Sequence, residues 1–254
     1  MKNYKFPVKI NQLLIASFIA IYCCQLIAMP QSKITNNKFN QYSLLPPPIK
    51  PDSNPIIPIN IDAKNQKLIS YYIHAYSKDN QLSKLIKRSK YFLQHVITEL
   101  KKRNLPKELA LLPIIESAYQ PSAMSNKGAY GIWQISYITG KRYGLIYTRQ
   151  DLRSTKDSRS DLIASTNAAL NYLEFLYERF DNDWLLALAA YNAGEGRISR
   201  AIKNNKYIGK NANYWTLPLP KQTKHYVPKL LALSIIFNNP KQFGLDLTTV
   251  INYK

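Results

Sequence analysis

The chain has 254 residues and a formal net charge of +20, from 35 Lys and Arg against 15 Asp and Glu. Hydrophobic residues make up 46% of it, which excludes a mainly disordered protein, while the length allows one sizeable core and is too short for three domains. The charge excludes an acidic solvating tail and favours an anionic partner, although compositional drift toward Lys would give the same excess.

Residues 1–28 predict an export signal or a membrane anchor. Basic residues precede an apolar run over 13–28 that suits a signal cleaved after Ala28 and is short for a membrane-spanning helix. Cys23 and Cys24, the only 2 cysteines, lie inside this run, so lipid attachment is a third option and the folded body has no disulfide and no thiolate metal site. Each option places the body in the periplasm or cell envelope and leaves membrane attachment through the N-terminus open.

Residues 29–63 are rich in proline and predict an extended, semi-rigid linker. Residues 64–104 follow with helical periodicity and carry 10 basic and 2 acidic side chains, a local charge of +8. We interpret this basic helical prelude as packed helix with a solvated charged face. Binding to a membrane surface or to nucleic acid is the alternative, but the export signal argues against nucleic acid and no nucleic-acid recognition motif is present.

The main domain is expected over 105–240, with helical periodicity throughout. Pro106 suits the first turn of a helix that continues to Tyr119, with a kink expected at Pro113. No stretch alternates with a period of two, so the predicted fold class is all-α, or α with minimal β, followed by a C-terminal tail over 241–254. The other predicted helices are 132–142, 162–180 with a capping signal from Ser158 and Asp161, 184–193 stopped by Gly194, and 221–237.

Glu116 is the most informative acid because it follows the apolar run 109–115 near a helix end. An apolar setting raises the pKa of a carboxyl group, since the charged form loses hydration, and a carboxylic acid still protonated near neutral pH can protonate a leaving oxygen. The alternative on periodicity alone is a surface glutamate on the polar side of that helix.

Two further segments suggest a cleft for sugars. The turn 128–134 has glycines that permit close backbone approach, Trp133 as a flat apolar face and Gln134 with amide donors and acceptors, a combination that suits sugar rings. A structural turn with a core tryptophan is the alternative. The segment 190–194 ends a helix with a Tyr-Asn pair that could line a cleft, and Tyr226 on the last helix could donate a hydrogen bond to a buried carboxyl group.

Together these segments resemble the motif set of the lytic murein transglycosylases, in particular the membrane-bound D type, over residues 64–238. Each motif alone is weak or moderate, but all of them in order at compatible spacing are specific. The resemblance is closest in LPKEL…ESAY over 105–119, GAYGIWQ over 128–134, DWLL…YNAGEGR over 183–197, and YWTLPLP…YVPK over 214–229.

The resemblance implies a lysozyme-like α-helical catalytic domain with a long glycan cleft. The implied substrate is peptidoglycan, and the implied reaction is non-hydrolytic cleavage of the β-1,4 bond between N-acetylmuramic acid and N-acetylglucosamine, which leaves a 1,6-anhydro ring. Glu116 would protonate the leaving oxygen and then act as base on the muramyl 6-hydroxyl. Ser125 would contact the sugar near the cleaved bond and Tyr226 would orient Glu116. The glycan subsites would be lined by Gln134, Tyr191 and Asn192.

The acids of the sequence favour a mechanism with one carboxylate, assisted by the N-acetyl group of the substrate. Glu108 lies two helical turns before Glu116 and suits packing or a salt bridge, whereas Asp151 and Asp157 fall in a loop whose position the sequence leaves open. No cofactor and no metal are expected, and no protein partner is indicated.

The resemblance is not complete. A methionine that some relatives carry shortly after the glutamine is absent, with Ser136 near that place, and no glycan-binding repeats are expected after residue 240. A muramidase that hydrolyses the same bond, and a non-catalytic peptidoglycan-binding scaffold, remain the alternative functions.

Overall fold

The computed structural model describes residues 62–78, 81–149 and 155–247. The predicted export signal, nearly all of the predicted linker, Asp151 and the end of the predicted tail lie outside these ranges. Within them, none of the helices combines the length and the apolar character needed to cross a membrane.

The described chain is built from helices and one small hairpin, so the all-α expectation with minimal β is confirmed. Two 3₁₀ helices, Lys107–Leu111 and Pro240–Phe243, accompany the α-helices. The α-helices are α1 (Ala63–Ser77), α2 (Gln81–Lys102), α3 (Leu112–Ser117), α4 (Tyr137–Arg142), α5 (Leu162–Arg179), α6 (Trp184–Ala193), α7 (Glu195–Tyr207) and α8 (Lys221–Asn238). Strands β1 (Tyr147–Arg149) and β2 (Thr155–Asp157) pair antiparallel, with Tyr147 opposite Asp157.

Helix α8 lies at the centre of the core. It packs against α1, α3, α6 and the first 3₁₀ helix, and nearly all of its residues from Tyr226 to Phe237 are buried. A helix that is apolar on all sides must be surrounded in this way, because no face of it is suited to water. The helix predicted over 221–237 is therefore confirmed, and the structure adds that it is the central helix of the core.

Pro228 lies inside α8 and has no N–H to donate to the carbonyl of Lys224. The hydroxyl of Tyr214 donates to that carbonyl at 3.0 Å and to the carbonyl of Thr223 at 2.9 Å. A buried carbonyl without a partner is costly, so Tyr214 offsets the amide that Pro228 lacks. The same turn of α8 carries Tyr226.

The basic prelude is two helices that pack on this core. Asp62 caps α1 by accepting a hydrogen bond from the backbone N–H of Asn65 at 2.8 Å. The predicted apolar stripe of α2 is buried, whereas its lysines on the opposite face are exposed. The hydroxyl oxygen of Tyr72 on α1 lies 2.7 Å from Nδ1 of His225 on α8. This hydrogen bond connects the prelude to the helix that also carries Tyr226.

Several local predictions were wrong. The segment 107–119 is a 3₁₀ helix followed by α3, and Pro113 lies in the first turn of α3, where its missing N–H costs nothing, so no kink forms. Helix α4 begins at Tyr137 rather than at 132, because Ser136 caps it by accepting from the N–H of Thr139 at 3.1 Å. The hairpin β1–β2 was missed because three residues are too few to show alternation.

The signals at two helix starts were also misinterpreted. Asp161 alone caps α5, accepting from the N–H of Ala164 at 2.7 Å, while the Ser158 hydroxyl exchanges hydrogen bonds with the backbone of Ile146. Gly194 does end α6, but α7 begins at the next residue and was not predicted.

Candidate active site

Glu116 is the penultimate residue of α3, a short helix with an unusual end. Ala118 and Tyr119, which follow it, both adopt left-handed backbone conformations, with φ of 51° and 56°. Such conformations cost side-chain-bearing residues about 1 kcal/mol each, so the surrounding structure must enforce them. The N–H of Tyr119 reaches back to the carbonyl of Pro113 at 3.1 Å and closes the helix.

Three side chains hold this helix end in place. The hydroxyl of Tyr119 donates to the carbonyl of Ala110 at 2.6 Å, and that of Ser117 donates to the carbonyl of Ile132 at 2.8 Å. Arg88, from α2, donates to the carbonyl of Ala118 at 3.1 Å. These bonds fix the backbone on both sides of Glu116, so its carboxyl group has a defined position.

The carboxyl group of Glu116 has a pKa near neutral pH. Burial raises its pKa to about 7, because the charged form loses hydration there, and the opposing effects of Tyr226 and Lys229 only partly offset that rise. The hydroxyl of Tyr226 donates to Oε1 of Glu116 at 2.6 Å. A group whose pKa lies near the working pH can both give and take a proton, which is the requirement for an acid that later acts as a base.

The structure brings Tyr191 and Asn192 to the same place. Burial raises the pKa of both the Tyr191 and the Tyr226 phenol well above the usual value, and the nearby Glu116 carboxyl group raises both further. Asn192 accepts a hydrogen bond at its Oδ1 from the hydroxyl of Thr223, one turn before Tyr226 on α8, at 3.0 Å. Four of the six predicted site residues therefore form one cluster, namely Glu116, Tyr191, Asn192 and Tyr226.

The turn 128–135 lies beside this cluster and is fixed through its backbone carbonyls. Besides Ser117, which binds the carbonyl of Ile132, the hydroxyl of Tyr191 donates to the carbonyl of Trp133 at 2.8 Å. The turn is therefore attached to the helix of the acid and to α6, which carries the Tyr-Asn pair.

Gln134 sits in the turn with a left-handed backbone, at φ of 48°. Its amide nitrogen donates to the carbonyls of Ala123 and Gly131 at 3.0 and 2.9 Å, so the donor that we assigned to a ligand is used within the protein. The sugar-stacking interpretation of Trp133 was wrong. Its side chain is fully buried and its indole N–H donates to the hydroxyl of Thr166, so it is a core residue.

Ser125 lies apart from the acid in its own turn. Its hydroxyl oxygen accepts hydrogen bonds from the backbone N–H groups of Lys127 and Ala129, at 3.3 and 3.0 Å. No recorded contact joins it to Glu116 within the ranges that the structure describes. It is half-buried and belongs to the same loop as the turn 128–135.

The remaining acids are engaged elsewhere. Both carboxylate oxygens of Asp157 are bound by Arg159, and Glu195 is 3.3 Å from the guanidinium of Arg142. Glu108 lies buried in the first 3₁₀ helix. Burial, Tyr226 and Lys229 account for the pKa of Glu116, and no second carboxylate among residues 62–78, 81–149 and 155–247 contributes to it.

Comparison with known proteins shows which ones this chain is similar to. Residues 96–214 match the family described as the Transglycosylase SLT domain. The membrane-bound lytic murein transglycosylase D of Escherichia coli strain K12 is 52% identical over 162 residues, which are 64% of this chain and 35% of that protein.

Residues 96–214 are therefore similar to a transglycosylase domain.

The chain spans about a third of the length of the Escherichia coli relative. A soluble lytic murein transglycosylase of Salmonella typhimurium strain LT2 is 30% identical over 125 residues, covering 49% of this chain and 19% of that protein. Among solved structures, the lytic transglycosylase Slt of Pseudomonas aeruginosa has a TM-score of 0.43 and 21% identity, covering 71% of this chain and 29% of that one.

The sequence analysis did not identify two residues that influence the candidate site. Lys229, whose charge lowers the pKa of Glu116, lies three residues after Tyr226 on α8, and that helical spacing was an available signal. Arg159 binds the carbonyls of Gly128 and Ile135, which lie 31 and 24 residues before it. No local pattern could have indicated so distant a pairing.

Proposed function

We propose that this protein is a peptidoglycan lytic transglycosylase, which cleaves the β-1,4 bond between N-acetylmuramic acid and N-acetylglucosamine and leaves a 1,6-anhydromuramyl end. The observation that carries the proposal is Glu116, a buried carboxyl group with a pKa of about 7 that Tyr226 holds by a hydrogen bond of 2.6 Å. A single group of this kind suits a reaction in which one residue is first acid and then base.

In the first step, protonated Glu116 donates its proton to the glycosidic oxygen. The bond between that oxygen and the muramyl anomeric carbon breaks, and its electron pair stays with the oxygen. The carbonyl oxygen of the substrate's own N-acetyl group bonds to the anomeric carbon in its place, as in substrate-assisted glycosidases. Glu116 is then a carboxylate, and Tyr226 and Lys229 stabilise its charge.

In the second step, the muramyl 6-hydroxyl attacks the same carbon. Its oxygen forms the new bond, the bond to the N-acetyl oxygen breaks, and the hydroxyl proton passes to the Glu116 carboxylate. No water is consumed and Glu116 ends protonated as it began. Since Tyr226 binds Oε1, the other oxygen of Glu116 would face the substrate in both steps.

The surroundings of Glu116 favour this route over a two-carboxylate mechanism. Retaining glycosidases place a second carboxylate about 5 Å from the first, and inverting ones about 6.5–9.5 Å away. Asp157, which the sequence left unplaced, has both oxygens bound by Arg159 and is not available for such a role. A hydrolytic mechanism would need a second acid to activate water, and Asp157 cannot serve as that acid.

The remaining predicted residues would bind the glycan. Because both hydrogens of the Gln134 amide are used within the protein, its oxygen would accept from a sugar hydroxyl or N-acetyl N–H. Asn192 accepts from Thr223 at its oxygen, so its amide nitrogen would donate to the sugar. Tyr191 and Ser125 would complete the subsites nearest the cleaved bond.

The location of the protein follows from the same proposal. Peptidoglycan lies in the cell envelope, and the Escherichia coli relative is described as membrane-bound. The net charge of +20 would attract the protein to a wall that bears carboxylates. We propose action in the periplasm, with attachment to the membrane through the N-terminal segment.

Digestion of purified sacculi tests the proposed function. We expect the wild-type protein to release 1,6-anhydromuropeptides, each lighter by one water molecule than a hydrolytic product. The Glu116→Gln variant should release them about 1000-fold more slowly, because general acid–base catalysis contributes up to that order. Glu178→Gln, the same change at an exposed position of α5, is the control and should keep full activity.

Each of the other possible outcomes would overturn one part of the proposed function. Products with only reducing ends would make the protein a muramidase that hydrolyses the bond. Binding to sacculi with no product from folded wild-type protein would make it a scaffold. Activity that survives in Glu116→Gln would refute the assignment of the acid.

A further inference from the structure

Arg159 holds both ends of the turn that carries Gln134. Its side chain is only 7% exposed, and its Nη1 donates to the carbonyl of Gly128 at 2.8 Å and to the carbonyl of Ile135 at 3.1 Å. These two carbonyls flank the turn on either side. One nitrogen atom therefore sets the distance between the start of the turn and its end.

The middle of the turn touches the backbone of the same residue. Gly131 has a φ of +81°, and a Cβ atom there would lie 2.0 Å from the carbonyl oxygen of Arg159. Only glycine permits this approach. The turn is thus wrapped around residue 159, with the guanidinium at its ends and the backbone carbonyl at its centre.

The guanidinium is itself fixed. Nε and Nη2 donate to the carboxylate of Asp157 on β2 at 2.9 and 2.6 Å, and the Asp157 side chain is 10% exposed. The ring of Tyr130, within the turn, lies 5.4 Å from the guanidinium carbon. A buried, bidentate pair of this kind has one geometry, so it transmits the position of β2 to the turn.

We propose that Arg159 is a positioning residue for glycan binding, acting by holding the turn 128–135 so that the Gln134 oxygen meets the sugar. The proposal rests on the proposed function. Arg159 does not touch Glu116, so its effect falls on substrate binding rather than on proton transfer. Lysine cannot replace it, because one ammonium group cannot bind both carboxylate oxygens and both carbonyls in a fixed plane.

The test compares Arg159→Lys with Arg103→Lys in the full-length protein. Arg103 is a matched control because its guanidinium also binds several side-chain acceptors, Asn167 and Glu174 on α5 among them, away from the turn. On soluble glycan strands, we expect Arg159→Lys to raise KM about tenfold and to leave kcat and the pH midpoint of the activity unchanged, since small misplacements of binding groups weaken substrate positioning. Arg103→Lys should leave KM unchanged.

Binding to sacculi gives a readout that does not depend on turnover. In a Glu116→Gln background, adding Arg159→Lys should weaken the affinity for sacculi about tenfold, and adding Arg103→Lys should not. A wild-type protein that binds sacculi but yields no anhydro product would refute the proposed function and leave this comparison valid.

The proposal is overturned if Arg159→Lys leaves both KM and the affinity for sacculi unchanged and lowers only the melting temperature, as Arg103→Lys would. Arg159 would then have a purely structural role. Should Arg159→Lys fail to fold, Asp157→Asn takes its place, since it loosens the guanidinium while leaving it present. A rise in KM of about threefold is then expected, and an unchanged KM in that folded variant would overturn the proposal equally.

Discussion

The carboxyl groups of Glu116 and Asp157 have opposite surroundings. Asp157 is bound through both oxygens by the guanidinium of Arg159, whereas Glu116 has a neutral phenol on one oxygen, and burial raises its pKa to about 7 against the smaller opposing effects of Tyr226 and Lys229. A guanidinium in bidentate contact fixes the carboxylate in one position. Burial with a neutral donor leaves the group able to exchange a proton, so the partner decides whether a buried acid serves structure or chemistry.

The two groups nevertheless act on the same turn. Ser117, next to Glu116, binds the carbonyl of Ile132, and Arg159 binds those of Gly128 and Ile135. Glu116 and the turn 128–135 are therefore positioned relative to each other by hydrogen bonds from two directions. This arrangement explains why the glycines are needed at 128 and 131, where the backbone adopts positive φ.

The largest expected effect comes from breaking the ion pair of Asp157. Asp157→Asn should lower the free energy of unfolding by about 4 kcal/mol, because removing one partner leaves the Arg159 charge buried without a counter-charge. Urea unfolding measures this loss directly. The pH midpoint of the activity that remains should be that of the wild-type protein, since Asp157 does not contribute to the pKa of Glu116.

An exposed ion pair provides the control for that variant. Glu174 lies 3.0 Å from Arg103, and its side chain is 36% exposed. Water screens such a pair, so Glu174→Gln should cost less than about 1 kcal/mol. A loss in Asp157→Asn no greater than that in Glu174→Gln would show that burial does not distinguish the two pairs.

The sequence predicted the chemistry of Glu116 better than the way it is held. The apolar run before Glu116 indicated a raised pKa, and the helix bearing Tyr226 was found from its periodicity, because both signals are local. The left-handed pair at Ala118 and Tyr119 could not be predicted, since neither residue favours that conformation and distant hydrogen bonds enforce it.

Residues with two compatible roles were the other source of error. A tryptophan in a glycine-rich turn can stack on a sugar or fill a core, and only the position of Thr166 decides that Trp133 fills the core. Gln134 could offer its donor or its acceptor to a ligand, and the carbonyls of Ala123 and Gly131 take the donor. In both cases the deciding partner is a tertiary contact, which no pattern of neighbouring residues encodes.

The contrast between the two acids also predicts how stability depends on pH. The pKa of Glu116 is about 7 in the folded protein and 4.5 for an ordinary glutamate, so the stability that the protonated group contributes is complete below about pH 4.5 and is lost as pH rises through 7. Glu116→Gln suffers no such loss. At pH 8 it should be more stable than the wild-type protein by about 3 kcal/mol, and this difference should disappear toward pH 4.

Urea unfolding at several pH values checks this expectation, with Glu178→Gln as the control at an exposed position. A constant difference between Glu116→Gln and the wild-type protein from pH 4 to pH 8 would contradict a raised pKa at Glu116. The contrast drawn between Glu116 and Asp157 would then fail.

The smallest expected effect concerns the neutral partner of Glu116. Tyr226→Phe removes the hydroxyl that stabilises the carboxylate at 2.6 Å, so the pKa of Glu116 should rise above 7 and the decline of activity at high pH should move to higher pH. Because the carboxylate must also act as base, we expect kcat at pH 6 to fall about tenfold. A pH–rate profile on soluble glycan strands measures both changes.

Tyr214→Phe is the matched control, since it removes another buried hydroxyl that bonds the backbone of α8 at the carbonyls of Thr223 and Lys224. It should lower the melting temperature, because the carbonyl left free by Pro228 loses its donor, and it should leave the pH midpoint where it was. If Tyr226→Phe behaves in the same way, lowering stability without moving the midpoint, then Tyr226 merely packs beside Glu116. The hydrogen bond from the Tyr226 hydroxyl would then not explain why Glu116 differs from Asp157.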